Sequence, residues 1–124
     1  MKLQEMFHDW EDVEKYRANT VIFAERDPAD LMYVVLSGEV ELTLGSEPLG
    51  IEGKGGMIGE MAMIYPAGTR SATATTLSKV KLAKLNRDQF RSLVDENTDF
   101  ALHVMGVLAN RLIVANSFIA QLSK

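Results

Sequence analysis

The chain contains no cysteine. Disulfides, thiolate metal sites, iron–sulfur clusters and cysteine nucleophiles are therefore excluded. A cysteine-free chain suits a reducing compartment. Histidine is almost as scarce: His8 and His103 stand alone, neither at metal-ligand spacing from other ligating side chains. With two separated histidines, a metal-dependent hydrolase or oxygenase has no ligand set. No order of serine, histidine and aspartate suggests a triad. Basic runs are also missing. Thirteen Lys and Arg face 17 Asp and Glu, for a net charge of −4. Such a surface repels nucleic acid. Residues 1–14 have no apolar core behind a basic start, so they do not read as a signal peptide. The most apolar run, 100–115, is broken by His103, Asn110 and Arg111, and is too short to span a bilayer. These absences leave a soluble cytoplasmic protein that is not an enzyme and has neither direct nucleic-acid binding nor a membrane span.

The hydrophobic fraction of 47% over 124 residues supports one domain with a real core. Met6, Trp10 and Val13 fall at near-helical spacing, which predicts a short N-terminal helix. Asp9, Glu11, Asp12 and Glu14 read as a solvated face. From residue 20 the period shortens. Strands are expected over 21–24, 31–36, 39–44, 70–76 and 79–85, with turns at Ser37-Gly38 and at residues 45–48. In 39–44 the alternation is clean: Val40, Leu42 and Leu44 share one face. Short strands with regular turns predict an antiparallel β jelly roll, mainly β with flanking helices, over about 17–86. The last third is helical, about 87–122. Asn86 with Gln89 three residues on forms a capping-box pattern, and Asn97-Thr98-Asp99 starts a second helix. Apolar residues occur nearly all round that last helix. A small domain cannot cover every side of it, so the expected second wall is another copy of the same helix in a homodimer.

The segment 53–64 holds four of the nine glycines and leads into a possible helical turn at Glu60. Such a lead-in can present backbone N–H groups to an anion. Downstream, Arg70, Ala72 and Ala74 share a strand face, so two small residues leave a hollow beside one guanidinium. Arginine binds phosphate through paired hydrogen bonds. Ser71 adds a hydroxyl, and Glu60 can accept from a sugar hydroxyl. Taken alone, the same residues are equally compatible with a surface salt bridge between Glu60 and Arg70 and with edge-strand filler.

The string Ile58-Gly59-Glu60-Met61-Ala62-Met63, followed after a loop by Arg70-Ser71-Ala72-Thr73-Ala74, resembles the phosphate-binding cassette of the cyclic nucleotide-binding domain family. That family includes catabolite activator proteins, protein kinase A regulatory subunits and cyclic-nucleotide-gated channels. The resemblance covers about 10–122. It implies a β jelly roll whose ligand is a cyclic nucleotide, with no other cofactor. It implies that Glu60 holds the ribose 2′-hydroxyl. It implies that Arg70 and Ser71 hold the cyclic phosphate, helped by N–H groups near Gly59, Met61 and Ala62, with Ile58 leading the motif. It also implies that Asn116 reaches the purine edge. In the family, threonine after the arginine goes with cGMP, so Ser71 leans toward cAMP. Asn19 and Arg26 stand where the family has glycine, which puts the Arg26 turn in question because arginine tolerates a left-handed backbone poorly. The family's activators continue into a helix-turn-helix. Here the expectation is a sensor module with no effector domain of its own, signalling through an effector protein, or the sensor of a longer protein. The alternative is a degenerate jelly-roll interaction module that dimerises and binds no nucleotide.

Overall fold

The computed structural model describes residues 1–65 and 68–123. Pro66 and Ala67, in the loop between the two halves of the motif, and the terminal Lys124 lie outside them. The chain forms two compact units, one of residues 2–90 and one of residues 91–124 with Met1.

The first unit begins with α1, Leu3–Met6. Leu3 and Phe7 are its buried pair, four residues apart. The predicted face of Met6, Trp10 and Val13 is not formed, because the chain leaves the helix after Met6 and becomes extended. Phe7 and Trp10 instead make an edge-to-face ring pair with centroids 4.8 Å apart. The Trp10 indole N–H donates to the Lys84 carbonyl at 2.8 Å.

Eight strands follow: β1 Val13–Tyr16, β2 Val21–Phe23, β3 Leu31–Ser37, β4 Val40–Leu44, β5 Glu47–Glu52, β6 Met57–Ile58, β7 Thr73–Thr76 and β8 Val80–Asn86. They form two four-stranded antiparallel sheets, ordered β1-β8-β3-β6 and β2-β7-β4-β5. This corrects the predicted jelly roll. The architecture is an α/β fold of two separate sheets with flanking helices, and no ladder among the described residues closes them into a barrel or roll. The edge strands β1, β6, β2 and β5 end the pairing. Two of those edges were read differently in the sequence. The spacing of Met6, Trp10 and Val13 predicts a helix that includes Val13, which instead opens β1. Glu47 and Pro48 were assigned to a turn, yet they pair with Leu44 and Thr43. Proline is tolerated there because β5 is an edge strand and its missing N–H takes no ladder bond from a neighbour.

The core lies between the sheets. Phe23, Tyr33, Val35, Val40, Leu42, Ile58, Ala74, Val80 and Leu82 pack into one buried cluster drawn from both. Thr76 is fully buried with its hydroxyl satisfied: it donates to the Arg17 carbonyl at 2.6 Å and accepts from the Thr20 N–H at 2.8 Å.

Helix α3, Arg87–Glu96, opens with the capping box that the sequence announced. Asn86 Oδ1 accepts from the Gln89 N–H at 2.8 Å, and Gln89 Oε1 accepts from the Asn86 N–H at 2.9 Å. In the second unit, α4 runs Thr98–Leu122, and its Asn97 cap accepts from the Phe100 N–H. At 25 residues and a mean hydropathy of 1.4 in its most apolar stretch, α4 is long and apolar enough to cross a bilayer. The shorter 100–115 run had suggested otherwise. The same length and composition suit a helix that packs against protein.

Two non-glycine residues have left-handed backbones: Asn19 at φ 61° and Arg26 at φ 71°. They are the two positions where the motif family has glycine. The Arg26 turn forms, at the strain a Cβ brings there, about 1–2 kcal/mol. Arg26→Gly relieves that strain and adds backbone entropy of about 0.5–1 kcal/mol to the unfolded chain. The variant is expected to be more stable by up to about 1 kcal/mol in urea denaturation. A loss of stability would show that the arginine side chain contributes more than its backbone strain costs.

Candidate functional site

Arg70 is positioned by its backbone before its side chain matters. The turn at 24–27 closes through the Asp27 N–H to the Ala24 carbonyl and the Ala24 N–H to the Asp27 carboxylate, at 3.1 and 2.9 Å. This turn then grips Arg70 on both sides. The Arg26 N–H donates to the Arg70 carbonyl, and the Arg70 N–H donates to the Asp27 carbonyl, each at 2.9 Å. The strained Arg26 is thus part of the clamp that fixes Arg70.

The predicted strand over 70–76 starts later, at Thr73. The alternation nevertheless holds: Arg70, Ala72, Ala74 and Thr76 are buried, and Ser71 is exposed. The Arg70 side chain points into the fold with 7% of its surface exposed. Its guanidinium carbon lies 4.2 Å from the centre of the Phe23 ring and 5.9 Å from that of Tyr33. Those rings stack with centroids 6.1 Å apart. A guanidinium over aromatic faces gains electrostatically from the ring quadrupoles. Its nitrogens gain less: Nε and Nη1 are buried without a hydrogen-bond partner. Each buried unpaired donor costs about 1–3 kcal/mol, and more for a charged group. Burial pulls the Arg70 pKa below its ordinary value, against the opposing fields of Tyr33, Asp30, Asp27 and Glu60. An arginine still keeps its charge. The result is a fixed cation with two donor nitrogens that no group among the described residues satisfies. Burial likewise raises the Tyr33 hydroxyl pKa, partly offset by Arg70 and Lys84.

The other half of the site begins at β6, where Ile58 is fully buried and pairs with Tyr33. Gly59 follows at φ 74°, a conformation that favours glycine. Its missing side chain also leaves room for Arg70: a Cβ there would lie 2.6 Å from Arg70 Nη1 and 3.2 Å from the Leu31 carbonyl oxygen. Glu60 is 2% exposed. Its carboxylate is a source of the field acting on Arg70. With both side chains buried, a solvent-screened surface pair is no longer an adequate description of Glu60 and Arg70.

Helix α2, Met61–Ile64, is a single turn. The Ala62 N–H donates to the Gly59 carbonyl at 3.2 Å and the Met63 N–H to the Glu60 carbonyl at 3.0 Å, so both serve the turn itself. Met61 is half exposed, and its sulfur accepts from the Ser71 hydroxyl at 3.7 Å. The structure thus brings Ile58, Gly59, Glu60, Met61, Ala62, Arg70 and Ser71 into one unit. Asn116 is an exposed residue of α4 in the other unit. Sequence reasoning missed Phe23, Tyr33 and the 24–27 turn as parts of the site. The trace of the turn in the sequence is Arg26, where the resemblance implies glycine. Among the described residues no group of side chains could hold a metal ion.

Known proteins resemble this chain over most of its length. The profile of the cyclic nucleotide-binding domain matches residues 13–97. The chain is 35% identical over 111 residues to a CRP-like cAMP-activated global transcriptional regulator of Mycobacterium tuberculosis, covering 86% of this chain and 49% of that protein. It is 36% identical over 89 residues to a cAMP-dependent protein kinase regulatory subunit of Aspergillus niger, covering 67% of this chain and 20% of that one. The catabolite activator protein of Thermus thermophilus superposes with a TM-score of 0.79 at 28% identity, over 98% of this chain and 59% of that one. The chain therefore spans about half or less of the curated relatives it matches.

Gly59→Ala tests the packing around Arg70. The added methyl meets Nη1, and the backbone resists φ 74°. The expected loss is about 1–2 kcal/mol of folding stability, read as a lower midpoint in chemical denaturation. An unchanged midpoint would mean that the guanidinium does not occupy the space beside Gly59.

Proposed function

The chain belongs to the cyclic nucleotide-binding domain family, and we propose that its ligand is cAMP rather than cGMP, held by the turn at Gly59 and Glu60 together with Arg70. The domain is a regulatory sensor module, not a catalytic one. The observation that carries the ligand reading is the buried Arg70 guanidinium with Nε and Nη1 unpartnered. A cyclic phosphate supplies the acceptor oxygens and the negative charge that this group lacks. Glu60, buried in the same unit, supplies a carboxylate for the ribose 2′-hydroxyl. Ser71 and the backbone of Gly59 and Met61 flank the phosphate. Asn116 enters the proposal through the family's pattern alone, as a side chain able to hydrogen-bond a purine edge. The preference for cAMP rests on Ser71 and on two cAMP-responsive relatives.

The proposed setting is cytoplasmic, and the proposed assembly is a homodimer through α4. Met105, Leu108, Leu112, Ala115, Ile119 and Leu122 recur at alternating steps of three and four residues, the spacing of a coiled-coil seam. Met105, Leu112, Ile119 and Leu122 are each more than half exposed. Asn110 and Arg111 in the middle of the helix favour this pairing over a membrane span. An effector protein reading the ligand-bound state completes the proposal.

Arg70→Leu separates ligand binding from folding. Leucine over Phe23 removes the unpaired donors of Arg70 but also the cation facing buried Glu60, so a thermal melt of the ligand-free variant first establishes that it is folded. Calorimetric titration with cAMP should show a loss of about 2–5 kcal/mol in binding free energy, the scale for removing one partner of a buried charge pair. Binding of cAMP with wild-type affinity by Arg70→Leu would overturn the site. A wild-type protein that neither binds nor is stabilised by any cyclic nucleotide would favour the interaction-module alternative.

A further inference from the structure

Arg87 is the first residue of α3, at the end of a helix where cations are disfavoured by the aligned peptide dipoles. Its side chain does not stay with its own helix. Nη2 donates to the Ala62 carbonyl of α2 at 2.8 Å, a partly buried bond. The reason that carbonyl is available lies in the sequence. In a helix the Ala62 carbonyl takes the N–H four residues on. Residue 66 is proline, which has no N–H. The Tyr65 N–H is already committed to the Met61 carbonyl at 2.9 Å. Arg87 therefore supplies from another element the donor that Pro66 withholds.

We propose that Arg87 is a positioning residue for the phosphate-binding turn, tying α2 to the start of α3 so that each biases the other. The proposal rests on the cyclic-nucleotide reading of the site. Glu60 immediately precedes α2, and the Ala62 and Met63 N–H groups hold Gly59 and Glu60 in their turn. Fixing the far end of this single turn fixes the geometry at which Glu60 meets the ligand. By linkage, a ligand that orders α2 strengthens the Arg87 bond and orders the first turn of α3. A cavity of about 460 Å³, lined by Asp30, Leu31, Gly68, Asn86, Arg87 and Asp88, lies beside the clamp. It gives Arg87 room to release Ala62 and point elsewhere.

The test compares wild type with Arg87→Met, which keeps length and helix propensity but has no donor, Arg87→Lys, which restores a charged donor, and Gln89→Ala. The last breaks the capping box of α3 without touching α2. Circular dichroism melts establish that each is folded. Amide hydrogen exchange at Ala62, Met63 and Tyr65 in the ligand-free proteins reads the clamp directly. Exchange there should be faster in Arg87→Met, restored in Arg87→Lys and unchanged in Gln89→Ala. Titration with cAMP should show affinity lower by on the order of tenfold in Arg87→Met, the scale of a lost charged hydrogen bond only partly coupled to binding. Lysine should recover most of it, and Gln89→Ala should stay within about twofold of wild type. Unchanged α2 exchange in Arg87→Met overturns the clamp whatever the wild type binds. An equal loss of affinity in Gln89→Ala also overturns it, because the effect would then belong to α3 unravelling. Failure of wild type to bind cAMP is a different result: it removes the ligand reading and leaves the exchange arm to decide on the clamp.

Discussion

A guanidinium buried over two aromatic rings, with two of its donors unpaired, is an unstable arrangement unless much of the fold is committed to holding it. Arg70 gains from the faces of Phe23 and Tyr33 and from the fields of Asp27, Asp30 and Glu60, against the cost of burial. The surrounding structure keeps it there by restricting its backbone. The turn at 24–27 takes both its N–H and its carbonyl, and Gly59 vacates the space beside Nη1. Phe23 comes from one sheet and Tyr33 from the other, so the core and the site share residues. Charge burial of this kind costs stability, and under the proposed function a bound anion is what would recover it. A sensor needs such a difference between its empty and occupied states.

The strain elsewhere follows the same logic. Arg26 holds a left-handed backbone that a glycine would take more easily. It belongs to the turn that grips Arg70, so the strain sits next to the site rather than at random in the loops. On the other side of the site, α2 is a single turn, and the residue four positions after Ala62 in the sequence is a proline, which has no N–H. Arg87 crosses from α3 to supply one. The turn after Glu60 is therefore held in part from the start of a longer helix.

The second unit has a different problem. Helix α4 presents Leu102, Met105, Leu112, Ile113, Ile119 and Leu122 to solvent. An exposed apolar stripe of that length is the feature on which the proposed pairing of α4 rests. The regular spacing of part of the stripe favours a second helix over an irregular groove.

Local chemistry was legible in the sequence. The capping box at Asn86 and Gln89 needs four consecutive residues, and it formed as read. The glycine-rich turn, Glu60 and Arg70 were visible as a motif, and the alternation from Arg70 to Thr76 gave the right buried face even though the strand begins at Thr73. Non-local pairing was not legible. Glu47 and Pro48 look like a turn until an edge strand pairs them with β4. Val13 looks helical until β8 lies beside it. The expected jelly roll gave way to two separate sheets because closure depends on which edges meet, and edge pairing leaves no periodic trace in a chain. So the sequence by itself determined which residues carry the charge, the turn and the caps, since those depend on neighbours a few positions away. Only the tertiary structure decided that Arg70 would be buried over Phe23 and Tyr33 with its donors unfilled, because that state is set by groups brought together from distant strands.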